Sequence, residues 1–549
     1  MENPTQSKSE TGSSKSSHYS SAINEEISHL SEAIRGLSAR RNETSPISWL
    51  PPEVVCKIFE CVQHAYEDEE YPGTEYGYPH GWIKVTHVCR LWMKVALANP
   101  SLWSNVVIDT RHRRRWDRES FLRAKDSPLS VAVMGAASRK PPIIFKNPLI
   151  QMVLDQLQRI THLSFEYIDD KTLSKLLSDA PLSSPMLTSL TLVHVLWSED
   201  EPTILPSTVF KDCARLRSVF INGFAINWGS PIFRVSNLVR LTLRDIPNPH
   251  RPSLANVLLL LENNSSLEFL ELRQAISNSL DTLFPSHEIY LPRLTSLYIS
   301  ATAAQTARLI SRVVYPEHAT INIACSSTDM SEANFSTLAS IFSLRIPDKS
   351  IRNLKIRKSG NGVQIQATDA IFNSQLHESN YKRPSRAFII TYILDHGDVS
   401  NFTILACRIM AHRLENLKTL WIDDCTPVSI PLWFEIFGSL KKLETIRLGP
   451  SSMIDLLLAM YVPSGHQNEA QSFLPSLHSL EANNILFDLD DPSSPLGLME
   501  KAFSKRREQS VPIRKFALDR CIVMNRGDIE KLEQVVDELE WDGKVGRRI

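Results

Sequence analysis

The sequence has 549 residues, enough for several ordinary domains or one long repeat array, and its formal net charge is -1. This charge excludes the strongly basic balance typical of nucleic-acid-binding proteins, and no apolar run reaches the ~18 residues needed to cross a bilayer, so neither nucleic acid nor a membrane is expected as a partner. The eight cysteines are scattered without a Cys-x-x-Cys pair, which predicts buried thiols in a reducing compartment and neither a disulfide framework nor a zinc site.

The chain starts with a polar segment and a heptad segment. Residues 1–20 are rich in Ser, Thr and Lys and fit neither a secretory signal nor a transit peptide, so we expect a disordered tail and a cytoplasmic or nuclear protein. Residues 21–41 carry apolar residues at alternating spacings of four and three, the pattern of a coiled-coil seam. These are Ile23, Ile27, Leu30, Ile34 and Leu37. So short a helix is marginal alone, so docking on the following module is expected, with dimerisation as the alternative.

Residues 46–105 predict a small helical domain. Pro51-Pro52-Glu53 is typical of a helix start, because Pro lacks only an N–H that would be unpaired there and Glu favours the positive end of the helix dipole. The apolar residues of this first helix are Val54, Val55, Ile58, Phe59 and Val62. The second helix carries its stripe at Val85, Val88, Cys89, Trp92 and Ala96 and should end at Asn99-Pro100. Residues 64–81 form an insertion between the two.

Three ordered motifs of this domain resemble an F-box. They are Leu50-Pro51-Pro52-Glu53, Val88-Cys89-Arg90-Leu91-Trp92 and Pro100-Ser101-Leu102-Trp103. The resemblance implies a module that binds a Skp-family adaptor and thereby joins a cullin-RING ubiquitin ligase. By motif position, it assigns the helical core and the adaptor contact to Leu50, Pro51, Ile58, Val88, Cys89, Trp92, Leu102 and Trp103. The alternative is that these helices only cap the following domain.

Residues 106–150 are expected to form a linker and the start of a repeat array. Over residues 151–545 a six-residue window with apolar residues at positions 1, 4 and 6 recurs, as in leucine-rich repeat strands. The clear windows begin at Ile160, Leu187, Leu216, Leu238, Leu267, Leu294, Leu417, Leu443, Leu477 and Ile513. The roughly 20 residues between windows suffice for a helix, so each repeat is predicted to be one strand plus one helix. Because three buried aliphatic side chains contribute only ~5–8 kcal/mol against a larger entropy cost, neighbouring repeats must stack.

Two parts of the array should differ. Between residues 357 and 416 an irregular unit is expected to split the array: Asn361-Gly362 signals a hairpin, Ala387–Ile390 reads as a strand, and Val399 to Leu414 as a helix. At the end, an apolar stripe predicts a last helix that covers the open face. Its residues are Ile529, Leu532, Val535, Val536 and Leu539.

Over nearly its whole length the chain resembles F-box/leucine-rich-repeat proteins of a type expanded in fungi. The resemblance implies an α/β fold, with an N-terminal helical F-box followed by an irregular leucine-rich-repeat solenoid of one parallel strand plus one helix per repeat. It implies a non-catalytic subunit that presents a protein substrate to a ubiquitin ligase. No cofactor or metal is implied, and catalytic motifs are sparse, so an enzyme is not expected. The alternative is an interaction scaffold without a ligase.

A substrate surface is expected on the opposite face of the strands, where window positions 3, 5 and 7 point away from the core. Its proposed residues are Phe220, Arg240, Arg244, Phe269, Arg273, Tyr298, Arg357 and Trp421. Arg244 and Arg273 should lie directly opposite each other, which destabilises a sheet. We therefore expect an acidic or phosphorylated substrate segment to dock across four arginines and relieve the repulsion. These are Arg240, Arg244, Arg273 and Arg357. The alternative is that Glu271 and solvent neutralise these arginines.

Overall fold

The chain folds into two compact units, residues 1–135 with 142–164 and residues 136–141 with 165–549, which are called the N-terminal and C-terminal units below. The computed structural model describes residues 10–68, 81–110, 115–135, 147–178, 183–195, 202–206, 210–278, 287–327, 351–359, 362–369, 387–394, 414–423, 428–438, 440–461, 473–487, 495–523, 526–541 and 543. The fold is mixed α/β, with an N-terminal helical stretch and a parallel-strand sheet. No helix in the described residues is long and apolar enough to span a membrane.

The N-terminal unit is mostly helical. Its helices are α1 (Glu10–Glu43), α2 (Pro52–Asp68), α3 (Arg90–Ala98), α4 (Arg115–Arg123) and α5 (Pro148–Leu154), with 3-10 turns at Pro46–Trp49, Gly81–His87, Pro100–Trp103 and Leu157–Arg159. Strands β1 (Asn105–Asp109) and β2 (Leu129–Met134) pair in parallel, and β3 (Ile160–Ile168) begins in this unit.

Aromatic residues form the centre of this unit. Trp103 is 1 % exposed, and its indole N–H donates to the Ala96 carbonyl at 2.8 Å. The Trp82 ring packs edge-on against it at 5.0 Å between centroids, and Phe59 meets Trp92 in the same way at 5.2 Å. Burying rings of this size is the largest apolar contribution that single side chains make to stability. These rings therefore anchor α2 and α3 to the turn that follows α3.

The helix predicted across Val85 to Ala96 is wrong in one respect, because it is broken in two. A 3-10 turn ends at His87 and α3 begins at Arg90. Between them Cys89 is extended and caps α3, its sulfur accepting the Trp92 N–H at 3.5 Å. The thiol takes a backbone donor that the first turn leaves unpaired, so the helix starts there although the apolar spacing continues.

The predicted tail and heptad helix also need correction. α1 begins at Glu10 rather than at residue 21, since a helix once nucleated extends at one hydrogen bond per residue through a segment without proline. Its apolar seam does not dock on the helical module: Ile23, Ile27, Leu30, Ile34 and Leu37 are all 54–63 % exposed. We call these five residues the α1 seam.

The C-terminal unit contains the remaining elements. Its main strands are β4 (Ser189–His194), β5 (Ser218–Asn222), β6 (Arg240–Arg244), β7 (Phe269–Arg273), β9 (Ser296–Thr302), β11 (Thr320–Ser327), β12 (Asn353–Ser359), β13 (Gly362–Thr368), β14 (Ala387–Leu394), β15 (Thr419–Asp423), β16 (Thr445–Leu448), β17 (Ser479–Asn483), β19 (Lys515–Asp519) and β21 (Glu538–Trp541). Two-residue strands are β8 (Ile289–Tyr290), β10 (Val313–Val314), β18 (Leu486–Phe487) and β20 (Ile522–Val523). Its helices are α6 (Asp170–Ser178), α7 (Leu254–Glu262), α8 (Ala303–Arg312), α9 (Ile430–Leu432), α10 (Pro450–Tyr461), α11 (Pro495–Glu508) and α12 (Arg526–Val535).

The main strands form one sheet in nearly sequential order. From β4 through β11 each strand pairs in parallel with the next main strand. The sheet then continues through β14, β13 and β12 before β15, with β13 antiparallel to both neighbours. From β15 to β21 the pairing is again parallel. The predicted irregular unit thus adds strands within the sheet, and the predicted hairpin is present, with Ser359 opposite Gly362. The helix predicted at Val399–Leu414 lies almost wholly outside the described residues.

The strands repeat one set of backbone contacts. Position 1, 4 and 6 residues of the clear windows are no more than 3 % exposed, as predicted. The carbonyl of position 2 accepts two N–H groups of the next strand: Arg217 from Val239 and Arg240, and Val239 from Glu268 and Phe269. The same contacts recur at Lys418, Glu444, His478 and Arg514. Recurring backbone contacts at recurring positions show that these segments are equivalent structural units.

Position 8 of the windows adopts a left-handed backbone after several strands. The positive φ values belong to Tyr167, Gly223, Asp245, Gln274, Asn484 and Arg520. Left-handed backbone is costly for most residue types other than Gly, Asn and Asp. Its recurrence near the end of β3 and directly after β5, β6, β7, β17 and β19 indicates that the exit from the strand requires this conformation whatever the side chain.

Two predictions about connections were wrong. One helix per repeat was predicted, but the crossover from β5 to β6 contains only the 3-10 turn Pro231–Phe233. The windows at Leu216 and Leu238 start 22 residues apart, which leaves too short a connection for a packed helix. At the end, α12 stops at Val535, and Leu539 lies in β21, which pairs with β19. The last apolar residues alternate along a strand as well as along a helix, so periodicity did not separate the two.

Candidate functional site

One candidate surface lies on the N-terminal unit, where apolar side chains face solvent. Trp49 is 72 % and Val88 59 % exposed, and Leu50, Val54 and Leu91 are exposed as well. They lie at the start of α2 and around the start of α3, the two places that carry the F-box-like motifs. Clusters of exposed large apolar residues are typical of sites that bind another protein.

The predicted adaptor residues divide into two groups. Leu50 and Pro51 are exposed before α2, Val88 is exposed, and Ile58, Cys89 and Trp92 are half-buried. In contrast, Leu102 and Trp103 are 1 % exposed, which places them in the core and away from any binding surface. The motif contains both structural and exposed positions, and the sequence alone did not separate them. It also did not assign a role to Trp49, which precedes the first motif, or to Leu91, which lies inside the second.

The second candidate surface is the open face of the sheet in the C-terminal unit. The predicted register is confirmed: Arg240 lies opposite Phe269, and Arg244 lies directly opposite Arg273. On this face, the side chains between β5 and β9 form a cluster of cations and aromatic rings, which we call the β5–β9 cluster. Its residues are Phe220, Arg240, Arg244, Phe269, Glu271, Arg273 and Tyr298.

The two opposed arginines are each paired with a carboxylate. Arg244 donates from Nε and Nη2 to the two Glu271 oxygens, at 2.7 and 2.8 Å. Arg273 Nε lies 3.8 Å from an Asp245 oxygen, and that pair is more exposed. Two parallel N–H···O bonds to one carboxylate form a strong, geometrically fixed pair. Of the two predictions, the alternative is the one that fits: Glu271 neutralises Arg244. The expected repulsion between Arg244 and Arg273 is therefore relieved within the protein itself.

Arg240 is different. It is exposed and stacks over the Phe269 ring, with Cζ 5.4 Å from the centroid, and no described carboxylate forms an ion pair with it. The Phe269 ring in turn lies 5.4 Å from the Tyr298 ring. Cation–aromatic contacts orient a guanidinium without neutralising it. This arginine is the one in the β5–β9 cluster that is best available to an anionic partner.

Arg357 does not belong to this cluster. It lies on β12, and β7, β9, β11, β14 and β13 separate that strand from β6. At ~4.8 Å per strand the separation is roughly 29 Å. Its Nε donates to Gln364 Oε1 at 2.7 Å. The proposal of one anion site across all four arginines is therefore wrong, because the sequence predicted a hairpin and a strand in this region but not their insertion into the sheet between β11 and β12.

A separate cluster surrounds Trp421 on β15. Lys355 Nζ lies 3.4 Å and Arg447 Cζ 4.1 Å from the centroid of the Trp421 ring. The neighbouring strands position these side chains, since Lys355, Trp421 and Arg447 are consecutive partners in register. We call these three residues the Trp421 cluster.

Carboxylates compensate part of the charge of the Trp421 cluster. Arg447 contacts Asp519 at 2.5 Å and Glu481 at 3.4 Å. Burial raises the pKa of Glu481, and the positive charge of Arg447 opposes this shift. Arg447 and Lys355 are largely buried, so this cluster acts mainly in holding β12, β15 and β16 together.

The described residues contain no group of three or more His, Cys, Asp or Glu residues placed to hold a metal ion. The Cys521 thiol is fully buried and donates to the Ala482 carbonyl at 3.3 Å. This thiol therefore contributes to packing and hydrogen bonding within the fold.

Comparison with known proteins gives no assignment, because no protein-family model and no curated protein matches the chain.

Proposed function

We propose that the protein is a non-catalytic substrate-recognition subunit of a cullin-RING ubiquitin ligase. In this proposal the N-terminal unit is an F-box that docks a Skp-family adaptor. The C-terminal unit is a leucine-rich-repeat solenoid that binds a protein substrate on its open sheet face.

The observation that carries the proposal is the exposure of apolar residues at the motif positions. Leu50 and Val88 are exposed in the folded unit, while Leu102 and Trp103 of the same motifs are buried. A module that only folded on itself would gain from covering Leu50 and Val88, since each side chain contributes up to ~1.5–3 kcal/mol on burial. Their exposure supports a partner that covers them.

The solenoid part of the proposal rests on repetition. The window positions, the doubly accepting carbonyl at position 2 and the left-handed residue at position 8 recur along the sheet. Stacked units that share one backbone pattern are typical of repeat proteins, whose open face is their usual binding surface.

For the substrate, the β5–β9 cluster is the favoured site. Arg240 supplies an unneutralised guanidinium, and Phe269 and Tyr298 supply half-buried rings beside it. This combination suits an acidic or phosphorylated segment flanked by an apolar residue.

Adaptor docking is tested with the full chain and a purified Skp-family adaptor. Replacing Leu50 and Val88 with Ala should weaken adaptor binding by at least ~10-fold, because both lie at the proposed contact. Leu122→Ala is the matched control, since Leu122 is an apolar residue on α4, 46 % exposed and outside the motifs. Equal binding by the double variant and the parent would contradict the adaptor role.

Substrate capture is tested separately by proximity labelling in cells. Arg240→Glu should remove proteins that the parent labels, because it reverses the charge at the proposed anion site. Arg293→Glu, which makes the same change in the exposed turn before β9, serves as the control. Identical labelled sets for parent and Arg240→Glu would exclude this site.

A further inference from the structure

The α1 seam is the largest run of exposed apolar side chains on one element of the described chain. Its five residues are each more than half exposed along a helix of 34 residues. We propose that α1 pairs with α1 of a second copy of this chain, in parallel, so that the protein is a dimer held by a short coiled coil.

The contacts that α1 makes within its own unit use its other side. Glu32 lies 3.4 Å from Arg90, and the Glu43 carbonyl accepts the Trp49 indole N–H at 3.1 Å. In the heptad set by the α1 seam, Glu32 occupies position f, on the side of the helix away from positions a and d. The N-terminal unit therefore contacts α1 without covering the seam.

The residue types of the α1 seam favour two strands. Ile27 and Ile34 fall at position a, and Leu30 and Leu37 at position d. Ile at a with Leu at d favours parallel dimers over larger coiled coils. Ile23 precedes them at position d and extends the seam by one more layer.

Parallel pairing is the arrangement that uses all five residues. In parallel register each residue of the α1 seam meets its own copy. An antiparallel pairing sets Ile23 against Arg41 or Leu37 against Ser20, and so places a polar residue within the apolar seam. In the parallel register the e and g positions beside the seam bring no like charges together. Glu26 at g faces Ser31 at e of the partner copy, and Ala33 at g faces Ser38 at e.

The buried area is sufficient for a specific, reversible dimer. Apolar side chains of this size, exposed to this extent, present on the order of 100 Å² each. Five of them on each of two chains cover on the order of 1,000 Å², the lower bound for a specific interface. The partner is thus a second copy of the chain, and the fraction of dimer should rise with protein concentration.

The test is sedimentation equilibrium of the full-length protein over a wide concentration range. The parent should form a dimer, and Ile27→Asp with Ile34→Asp should weaken association by more than ~100-fold, because two charges in each chain would enter the seam. Ser21→Asp with Ser28→Asp makes the same change at position b and should leave association unchanged. A parent that is monomeric throughout, or a seam variant that dimerises like the parent, would overturn the proposal.

Two further variants test the helix and its direction. Gly36 lies at position c with open space around it, so Gly36→Ala should tighten the dimer severalfold by favouring the helix. Ile23→Cys should give a disulfide-linked dimer on mild oxidation, beyond any that the parent forms, because parallel chains bring the two thiols together. A dimer in which this cross-link never forms would refute the parallel register.

Discussion

Arg244 lies directly opposite Arg273 on the neighbouring strand, and it is held there by a two-bond ion pair with Glu271 of that same strand. The carboxylate neutralises one of two positive charges that would otherwise repel. Its side chain is 11 % exposed, so the pair is only weakly screened by solvent. Glu271 is therefore a structural residue of the open face.

Replacing Glu271 with Ala should destabilise the protein by roughly 1–3 kcal/mol, because it leaves Arg244 without its acceptor beside Arg273. Urea unfolding measures the change, and added salt should reduce it by screening the two arginines. Glu268→Ala, at an exposed position just before β7, is the control and should change little. A Glu271→Ala variant as stable as the parent at low salt would show that the ion pair is dispensable.

The Asn264 side chain takes the place of a backbone hydrogen bond that is formed at the start of other strands. At several windows the position 1 N–H donates to a carbonyl three residues earlier, as Leu267 does to Asn264. At Leu238 the N–H donates to the Asn264 side chain instead, at 2.9 Å, and that side chain donates to the Val235 carbonyl at 3.0 Å. The amide is fully buried and bridges two successive turns.

We expect Asn264→Ala to cost roughly 2–3 kcal/mol, since it leaves buried polar groups at Leu238 and Val235 unpaired. Thermal unfolding measures the loss. Asn263→Ala, at the exposed neighbouring position, is the matched control. A melting temperature equal to that of the control would contradict the bridging role.

Position 8 of the windows should tolerate Gly and resist Ala. Gly223 has φ 79°, and a Cβ there would lie 2.8 Å from the His194 Cβ. Gly223→Ala should therefore cost at least ~1–2 kcal/mol, from backbone strain and crowding together. Arg520 adopts φ 54° at the equivalent position, so Arg520→Gly should leave stability unchanged or raise it by up to ~1 kcal/mol. Chemical denaturation compares the two, and equal losses would refute the shared conformation.

The cysteines should differ sharply in reactivity. Burial raises the pKa of Cys325 to about 12, although a hydrogen bond to Thr306 opposes the shift. A thiol with that pKa is on the order of 0.1 % thiolate at pH 9, so raising the pH from 7 to 9 should not make it react with iodoacetamide. Exposed Cys61 should be alkylated in the folded protein. Mass-spectrometric mapping checks both sites, and alkylation of native Cys325 would mean that β11 opens.

Much of the sheet is predictable from the sequence, because burial repeats along the strands. Leu238, Leu241 and Leu243 are fully buried in the folded protein, and their spacing at window positions 1, 4 and 6 predicts the strand from the sequence. The register between Arg244 and Arg273 also follows, since neighbouring windows pair at equal positions.

The remainder depends on contacts between distant residues. The hairpin after Arg357 and the strand at Ala387–Ile390 were predicted, but the sequence does not show that β13 and β14 enter the sheet between β11 and β12, so the distance from Arg357 to Arg240 could not be predicted. The role of Glu271 depends on two arginines from different strands, and sequence spacing does not show which one it binds. Likewise, one motif contains both exposed Val88 and half-buried Trp92, and only packing against Phe59 separates them.

Adaptor binding is the central claim, and affinity purification of the tagged full-length protein under native conditions tests it most directly. The account predicts that a Skp-family adaptor and a cullin co-purify in stoichiometric amounts with the parent and are lost from the Leu50→Ala, Val88→Ala variant, while Leu122→Ala retains both. A folded parent that co-purifies with neither adaptor nor cullin would contradict it.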